Sequence, residues 1–310
     1  MNIFITGITG FVGSSLVTHF ESKNDCTVFG NSRDEAVAKK KFANLPVSIQ
    51  PGYSTALSDE LGIETVVHLA GIAHDLSNQY TAEDYENVNV GNTKRVFDSF
   101  LESSASKFIF LSSIKAAVDT TDEPVGENVV PAPVTDYGKS KLRAEADILS
   151  KPLPAGKFVY ILRPAMIHGP GNKGNLNLLY KFVKWGIPWP LGKFENQRSF
   201  LSIDNFTFII DCLLRENVPP GIYHLADTGY ISTTELVNQI GSSMSKRVVV
   251  WNFPTAMVKS LAMVAGQQSR LSKLTENMMV SNEKLLSVLG KPLPVTLQEG
   301  IAKTIQSFRK

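Results

Sequence analysis

Three side chains near the middle of the chain have the types and spacing needed for acid–base chemistry on an alcohol or a ketone. Tyr137 and Lys141 stand four residues apart in the segment Tyr-Gly-Lys-Ser-Lys, so a helix would place them on one face. A phenol has a pKa near ~10 in water, and a neighbouring ammonium is expected to lower the pKa of Tyr137 towards neutral. Ser113 ends an earlier apolar segment, where its hydroxyl would hydrogen-bond the reacting oxygen.

The Tyr-x-x-x-Lys spacing occurs twice, so the spacing alone does not identify the site. The second copy, Tyr180 with Lys184, is interpreted as part of a packed helix. The first copy is preferred because it follows a strand that ends in serine, and that strand follows a glycine-rich turn. The structural alternative for Tyr137 is a packed aromatic ring beside a solvated lysine.

A phosphate-binding turn is predicted at the start of the chain, where Gly-Ile-Thr-Gly-Phe-Val-Gly follows an apolar strand at Asn2–Thr6 and opens a helix. Glycine permits the tight turn and a close approach of the backbone to a pyrophosphate, and the exposed N–H groups at the helix start favour an anion. A helix-start turn without a ligand is the alternative. The residues predicted to contact a cofactor here are Gly7, Thr9, Gly10, Phe11, Val12 and Gly13.

The end of the second strand is the expected place for the residue that reads the adenosine ribose. An acid there selects NAD, whereas a nearby arginine suits the 2′-phosphate of NADP. Here Asn31 occupies the position and Arg33 lies two residues further on. This pattern favours NADP over NAD, but Asp34 could neutralise the arginine, so both cofactors stay open.

The elements that must position these residues alternate between short apolar runs and segments with helical spacing, such as 14–22 and 82–102. Continuous apolar runs separated by helices are typical of a parallel sheet covered on both faces. The sequence therefore predicts an α/β fold, a Rossmann-type doubly wound parallel sheet, over residues 1–164. The predicted strands are Asn2–Thr6, Cys26–Gly30, Val47–Gln50, Thr65–Ala70, Lys107–Ser112 and Phe158–Arg163.

The pattern changes after Pro164, and residues 165–310 are predicted to form mainly a smaller α/β substrate-binding lobe, with some segments returning to the sheet. Glycine, proline and asparagine cluster in 169–177 and 186–192, and one more strand is predicted at Ile222–Ala226. The apolar stretch Ala256–Ala265 is interrupted by Lys259 and is too short to span a bilayer. It is interpreted as a buried or interface helix.

Composition predicts a cytoplasmic protein without a nucleic-acid or membrane partner. The 31 basic and 29 acidic residues leave a formal net charge of +2, which indicates neither kind of anionic surface as a partner. Two cysteines, Cys26 and Cys212, lack metal-ligand spacing and fit a reducing compartment, so no metal site is predicted. The strand pattern begins at Asn2, and no secretory signal is predicted.

Taken in order, the motifs resemble the extended short-chain dehydrogenase/reductase family over nearly the whole chain. The matching segments are GITGFVG, VVHLAG, ENVNVGNT, FLSSIK, YGKSK, LRP, HGPG and QRSFLSIDN. More narrowly, HLAGIAH, SSIK and GPGNKGN resemble bacterial nucleotide-sugar enzymes of O-antigen and polysaccharide pathways. Those enzymes are 4-epimerases and 4-keto reductases of UDP-hexosamine-type sugars, and they are often homodimers, here through helices 82–102 and 137–150.

The resemblance implies roles for further residues. Arg198 aligns with the family's arginine on the substrate diphosphate, although pairing with Asp204 or Glu195 is the structural alternative. His68 is interpreted as a core residue rather than a catalyst. The implied catalytic residues are Ser113, Tyr137 and Lys141; Leu69, Ala70, Gly71, Asn89, Tyr137, Lys141 and Pro164 would line the cofactor, and His74, Lys115, Asn175 and Arg198 would contact the nucleotide sugar.

The implied reaction is hydride transfer between NAD(P) and carbon 4 of a nucleotide-activated sugar. A 4-epimerase and a 4-keto reductase use the same three residues, so these do not separate the two activities. A 4,6-dehydratase usually needs an acidic pair near the serine, which Ser113-Ile114-Lys115 does not offer. A catalytically idle nucleotide sensor on the same fold is the remaining alternative, and the intact Ser113, Tyr137 and Lys141 argue against it.

Overall fold

A seven-stranded parallel sheet forms the centre of the molecule, in a computed structural model that describes residues 1–23, 25–73, 79–172 and 175–309, apart from the side chains of Asn175 and Ser269. The strand order is β3-β2-β1-β4-β5-β6-β9, and all neighbouring strands pair in parallel. The strands are β1 Asn2–Thr6, β2 Thr27–Asn31, β3 Val47–Ile49, β4 Thr65–His68, β5 Lys107–Leu111, β6 Phe158–Pro164, β7 Met166–His168, β8 Phe200–Ser202 and β9 Gly221–Leu225.

Helices cover both faces of this sheet, which explains why the strands are continuous apolar runs. The helices are α1 Phe11–Glu21, α2 Glu35–Lys41, α3 Thr55–Glu60, α4 Ala82–Tyr85, α5 Asn92–Glu102, α6 Asp136–Ser150, α7 Asn175–Lys184, α8 Ile203–Arg215, α9 Thr233–Ser243, α10 Thr255–Val264, α11 Gln268–Thr275, α12 Glu283–Leu289 and α13 Leu297–Ser307. The predicted doubly wound fold is confirmed.

Alternate residues of β1 show the two faces directly. Ile3 and Ile5 pack with residues of α1 and α8 in one buried cluster. Phe4 packs on the other face with Phe97 of α5 and Ile148 of α6. Because successive side chains of a strand point to opposite faces, both helical layers are anchored on the same short strand.

The order in which strands are added to the sheet reverses at β1. This strand pairs with β2 on one side and with β4 on the other. In open parallel sheets a ligand crevice forms at such a switch point, outside the carboxyl ends of the strands. The turn after β1, the loop after β4 and the serines after β5 all lie at this edge.

A second, smaller core lies beyond β6. The short strands β7 and β8 pair in parallel, and residues of α7, α9 and α13 form a separate buried cluster. The chain then returns to the main sheet, because α8 packs near α1 and β9 pairs with β6. The strand predicted at Ile222–Ala226 is confirmed as β9, whereas β7 and β8 were not predicted.

The helix predicted over the apolar stretch 256–265 exists as α10. Of the two interpretations, a buried helix is wrong, and an interface helix stays a prediction. None of its residues is buried, and Leu261, Met263 and Val264 are mostly exposed. Within the part of the chain that the structure describes, no helix is both long and apolar enough to cross a bilayer.

Candidate active site

The backbone turn after β1 has a conformation and close contacts that require glycine at two of its positions, Gly7 and Gly13. Gly7 adopts a positive φ of 69°, and Gly10 N–H donates to the Gly7 carbonyl over 3.0 Å. A Cβ on Gly13 would lie 2.5 Å from the Gly7 carbonyl oxygen, which no real contact tolerates. Helix α1 begins directly at Phe11, and no side chain caps its N-terminus. Backbone N–H groups at this position suit a pyrophosphate, so the turn fits a dinucleotide.

Replacing Gly13 with alanine is expected to weaken NAD binding by about tenfold or more, because the methyl group forces the helix start away from the turn that approaches the pyrophosphate. Gly52→Ala is the matched control, since a Cβ at Gly52 has open space around it. Isothermal titration with NAD compares the two variants, and thermal unfolding shows whether they remain folded. Equal NAD affinity in a folded Gly13→Ala variant would contradict the role of this turn.

The Ser113 turn and the start of α6 lie against each other. Thr135 caps α6 by accepting a hydrogen bond from Gly138 N–H at 3.2 Å. A Cβ on Gly138 would lie 2.3 Å from the Lys115 carbonyl oxygen, so glycine is needed for this close approach. The Ser113 hydroxyl consequently lies close enough to Tyr137 to lower the pKa of its phenol. The structure therefore brings together two of the three predicted catalytic residues.

The electrostatics of Tyr137 differ from the expectation. Burial raises the pKa of this phenol to about 12, while the nearby Ser113 hydroxyl acts in the opposite direction and Tyr85 reinforces the increase. The prediction that the Lys141 ammonium lowers the pKa of Tyr137 is wrong for this arrangement. A buried phenol loses the hydration that its charged form needs, so it holds its proton more tightly.

Lys141 lies on the same helix as Tyr137 but is directed towards the strand ends. Its ammonium donates to the Leu111 carbonyl over 2.8 Å and lies 4.8 Å from the ring centre of Phe110. Burial lowers the pKa of Lys141 to about 8, while the Glu145 carboxylate raises it in part. A Cβ on Gly71 would lie 3.3 Å from this ammonium, so Lys141 borders the loop after β4.

Asn89 fixes that loop to helix α6. Its carboxamide accepts from Ile72 N–H at 2.7 Å and donates to the Ile72 carbonyl over 3.1 Å and to the Ser140 hydroxyl over 2.9 Å. Asn89 lies in a π-helical turn, Glu86–Gly91, between α4 and α5, whereas one continuous helix was predicted. Turns of this kind often occur at functional sites, because the extra residue redirects a side chain.

A chain of buried hydrogen bonds connects Asn89 to the glycine turn. The Thr93 hydroxyl donates to the Asn89 carbonyl over 2.6 Å. Because its hydrogen is used there, the Thr93 oxygen accepts from His68 Nε2 at 2.9 Å. His68 Nδ1 then accepts from Thr6 at 2.8 Å, and the Thr6 hydroxyl accepts from the N–H groups of Leu69 and Ala70, both at 3.0 Å. Burial, with the charge of Lys141, lowers the pKa of His68 to about 3, so its ring is neutral.

These hydrogen bonds, together with its burial, confirm that His68 is a core residue. They also show that two residues missed by the sequence reasoning, Thr6 and Thr93, determine where the loop after β4 runs. Neither gave a distinct signal in the sequence, because a threonine such as Thr6 is typical of any strand and Thr93 is a single polar residue within a helix. Leu69 and Ala70 follow β4 at the switch point, and Pro164 ends β6, so these predicted cofactor residues lie at the carboxyl edge of the sheet.

The adenosine side of the crevice carries an unsatisfied acceptor. The Oδ1 of Asn31, the last residue of β2, is buried and has no hydrogen-bond partner among the described residues. Nearby, the Thr9 and Ser32 hydroxyls are 2.8 Å apart, and Lys41 donates to the Thr9 carbonyl over 2.9 Å. Arg33 is exposed on the following loop. An orphaned amide oxygen fits a ribose hydroxyl, which is a hydrogen-bond donor.

Arg198, one of the predicted substrate residues, is anchored to the end of α11. Its guanidinium donates to the carbonyls of Lys273 at 3.2 Å and Glu276 at 3.1 Å. The alternative pairing is not seen among the described residues, since Asp204 pairs with Lys303 at 2.6 Å and Glu195 forms no ion pair with Arg198.

The other predicted substrate residues give a mixed result. Lys115 pairs with Asp119, with 3.1 Å between its ammonium and the nearer carboxylate oxygen, so it is engaged within its own loop. Asn175 is the first residue of α7, and its side chain is outside the description. His74 lies outside the described residues.

A parallel sheet of this order, with a glycine-lined helix start at its switch point, defines the dinucleotide-binding class of Rossmann-fold proteins. The model of the NAD dependent epimerase/dehydratase family matches residues 3–226. The chain therefore belongs to the NAD dependent epimerase/dehydratase family and is an enzyme of that type.

Two curated relatives match the chain over nearly its full length. A UDP-glucose 4-epimerase of Vibrio cholerae is 32% identical over 99% of this chain and 95% of its own length. An N-acetyl-alpha-D-glucosaminyl-diphospho-ditrans,octacis-undecaprenol 4-epimerase of Escherichia coli O157:H7 is 25% identical over 98% of this chain and 94% of its own. A solved UDP-glucuronic acid 4-epimerase from Bacillus cereus, in complex with UDP-glucuronic acid and NAD, shares the fold with a TM-score of 0.80, at 19% identity over 100% of this chain and 99% of that one.

Proposed function

We propose that this protein is an NAD-dependent 4-epimerase of a UDP-linked hexose or N-acetylhexosamine. The observation that carries the proposal is the closeness of Ser113 to Tyr137 at the sheet edge that also holds the glycine turn. Sugar 4-epimerases among the relatives and fold neighbours support the reaction class. The particular sugar is left to experiment, because specificity depends on loop shape around 72–80, 115–135 and 172–198.

In this proposal Tyr137 accepts the proton of the hydroxyl on carbon 4 as hydride leaves that carbon, and returns a proton when hydride comes back to the other face. Ser113 hydrogen-bonds the same oxygen and stabilises the charge that develops on it. Lys141 is assigned to the ribose of the cofactor. When bound, the oxidised nicotinamide supplies the hydride acceptor and a positive charge. That charge would offset the burial that raises the pKa of Tyr137.

We propose NAD rather than NADP as the cofactor. The unsatisfied acceptor on Asn31 suits a ribose hydroxyl, and solved neighbours contain NAD. The sequence analysis favoured NADP because of Arg33. The Arg33 side chain is exposed, and the preference for NADP has no support among the solved neighbours, which contain NAD. Phosphate recognition normally uses a guanidinium held in place.

Residues 165–310 are assigned mainly to the nucleotide sugar. Arg198 is the proposed diphosphate ligand, because α11 carbonyls hold its guanidinium in one position before any ligand arrives. A homodimer through α5 and α6 and a cytoplasmic location remain part of the proposal.

The test is to incubate the purified protein with UDP-glucose, UDP-N-acetylglucosamine or UDP-glucuronic acid and catalytic NAD, and to follow the sugar by NMR. We expect one of these to convert to its 4-epimer without net change in NAD. A 4-keto reductase would instead consume stoichiometric NADPH with UDP-4-keto sugars. A protein that binds NAD but catalyses neither reaction would be a nucleotide sensor, and the proposal would be wrong.

A further inference from the structure

Helix α10 and the segments before it form an unusually apolar part of the surface. Leu261 is 62% exposed, Val264 is 90% exposed, and Trp185 at the end of α7 is 72% exposed. Single exposed apolar residues are normal, but a contiguous set of large ones marks a binding surface. The α10 surface, as we call it, comprises Trp185, Ile187, Val249, Trp251, Phe253, Met257, Leu261, Met263 and Val264.

These residues are brought together by the fold. Ile187 and Val249 line the same shallow cavity, and Trp189 N–H donates to the Val249 carbonyl over 2.8 Å. The rings of Trp251 and Phe253 meet edge to face at 5.6 Å, immediately before α10 begins. The segment 249–253 therefore leads directly into α10, and Ile187 lies beside the start of that segment.

The orientation of α10 follows from its spacing. Val258 packs against the core of the smaller lobe. Met257, Leu261 and Val264, at positions i, i+4 and i+7, form an exposed apolar stripe on a different face. The helix is thus fixed to the lobe along one narrow side and projects the rest outwards.

The region around α10 is basic as well as apolar. From Leu236 to Thr275 the sequence holds five basic residues and no acidic residue. All five side chains are exposed, namely Lys246, Arg247, Lys259, Arg270 and Lys273. The whole chain is nearly neutral, and for that reason no membrane partner was predicted. The net charge does not reveal this local cluster of basic residues.

We propose that the α10 surface docks the protein on an anionic lipid bilayer, with α10 lying in the interface plane. Helices that lie at such interfaces combine apolar and aromatic residues with lysine and arginine. Tryptophan prefers the headgroup level, and each basic residue near an anionic bilayer adds attraction. A bilayer can surround a projecting helix on several sides, which a flat protein surface cannot.

A second copy of this chain fits the surface less well. In a two-fold symmetric dimer the same patch meets itself, so the charges of Lys246, Arg247 and Lys259 would face the same charges of the second copy. Like charges placed together across an interface oppose association. The charge therefore favours an anionic partner over self-association.

The test is flotation of the full chain with vesicles of phosphatidylglycerol and phosphatidylethanolamine, compared with vesicles of phosphatidylcholine alone. We expect binding to the anionic vesicles that weakens as salt is raised. Leu261→Glu combined with Val264→Glu should reduce this binding by about tenfold or more, because it removes apolar insertion and adds repulsion. Arg247→Glu combined with Lys259→Glu should have a similar effect.

The matched control is Val37→Glu combined with Val130→Glu, two exposed apolar positions outside the α10 surface. It should bind vesicles like the unmodified protein, and circular dichroism and NAD affinity should be unchanged in all variants. The proposal is overturned if the unmodified protein does not float with anionic vesicles, or if the α10 variants still do. It is also overturned if sedimentation shows that Leu261→Glu with Val264→Glu dissociates a dimer, since a second copy would then cover this surface. None of these readouts depends on the proposed epimerase activity.

Discussion

A Tyr137→Phe variant is expected to lose turnover by about 10²- to 10⁴-fold, the range that a positioned acid–base group contributes. The substitution removes one hydroxyl, the one near Ser113, and leaves the ring that packs 6.2 Å from Tyr85. Folding and NAD binding should therefore be nearly unchanged while kcat falls. NMR of the sugar gives kcat, and titration calorimetry gives the affinity for NAD.

The chain carries its own control for this experiment. Tyr180 and Lys184 repeat the spacing of Tyr137 and Lys141, but Tyr180 is buried in the core of the smaller lobe with its ring 5.4 Å from Phe308. Tyr180→Phe should keep kcat within about twofold, because among the described residues the Tyr180 ring packs in the smaller core and not at the sheet edge. If Tyr137→Phe retained activity comparable with Tyr180→Phe, Tyr137 would not be the acid–base residue.

The pH dependence provides a second check with a defined sign. A phenol with a pKa of about 12 is protonated at neutral pH, so the fraction able to accept a proton rises with pH. Epimerisation by the unmodified protein should therefore become faster from acidic to neutral pH, up to the pKa that Tyr137 has with NAD bound. The residual activity of Tyr137→Phe should lack this increase. An activity that falls over the same range would contradict Tyr137 as the base.

Local patterns were sufficient for the main sheet and the glycine turn. The strands of a doubly wound sheet are buried on both faces, so each appears as an apolar run that the sequence displays directly. Gly7 is required by its own positive φ, and Gly13 by the backbone of Gly7 and Ile8 a few residues earlier, so these constraints are visible in the local spacing. The strands β7 and β8 have three residues each, which is too short for any periodic signal.

Long-range contacts account for what the sequence did not predict. The π-helical turn at Glu86–Gly91 has the same apolar pattern as an α-helix, and its extra residue is stabilised by the bonds of Asn89 to Ile72 and Ser140. The spacing of Tyr137 and Lys141 correctly places them on one helix. The spacing does not specify which acceptor the Lys141 ammonium binds. In the structure the ammonium donates to the Leu111 carbonyl on β5.

One turn along α6 from Lys141 lies a buried ion pair whose disruption should have the largest effect on stability. Arg163 on β6 donates to both carboxylate oxygens of Glu145, with Nε at 3.0 and 3.1 Å, and both side chains are almost fully buried. Ser112 also donates to this carboxylate. The network joins α6 to the ends of β5 and β6, the strands that support the candidate active site.

We expect Glu145→Gln to lower the free energy of unfolding by about 3–5 kcal/mol, because it leaves the guanidinium of Arg163 buried without a countercharge. Urea denaturation measures the change as a lower midpoint. Glu35→Gln is the control, since its pair with Lys39 is exposed on α2 and should contribute about 0–1 kcal/mol. A loss of under about 1 kcal/mol for Glu145→Gln would mean that the buried pair is solvated like a surface pair.

The same substitution reaches the active site through Lys141. The Glu145 carboxylate raises the pKa of Lys141 against the effect of burial, so its removal should lower that pKa further below about 8. A lysine with a lower pKa is charged only at lower pH. If the charged ammonium holds the cofactor ribose, NAD affinity of the folded Glu145→Gln variant should be reduced above neutral pH and recover as the pH is lowered. A purely structural role for Glu145 predicts a loss of NAD affinity that is independent of pH, so titration at several pH values separates the two roles.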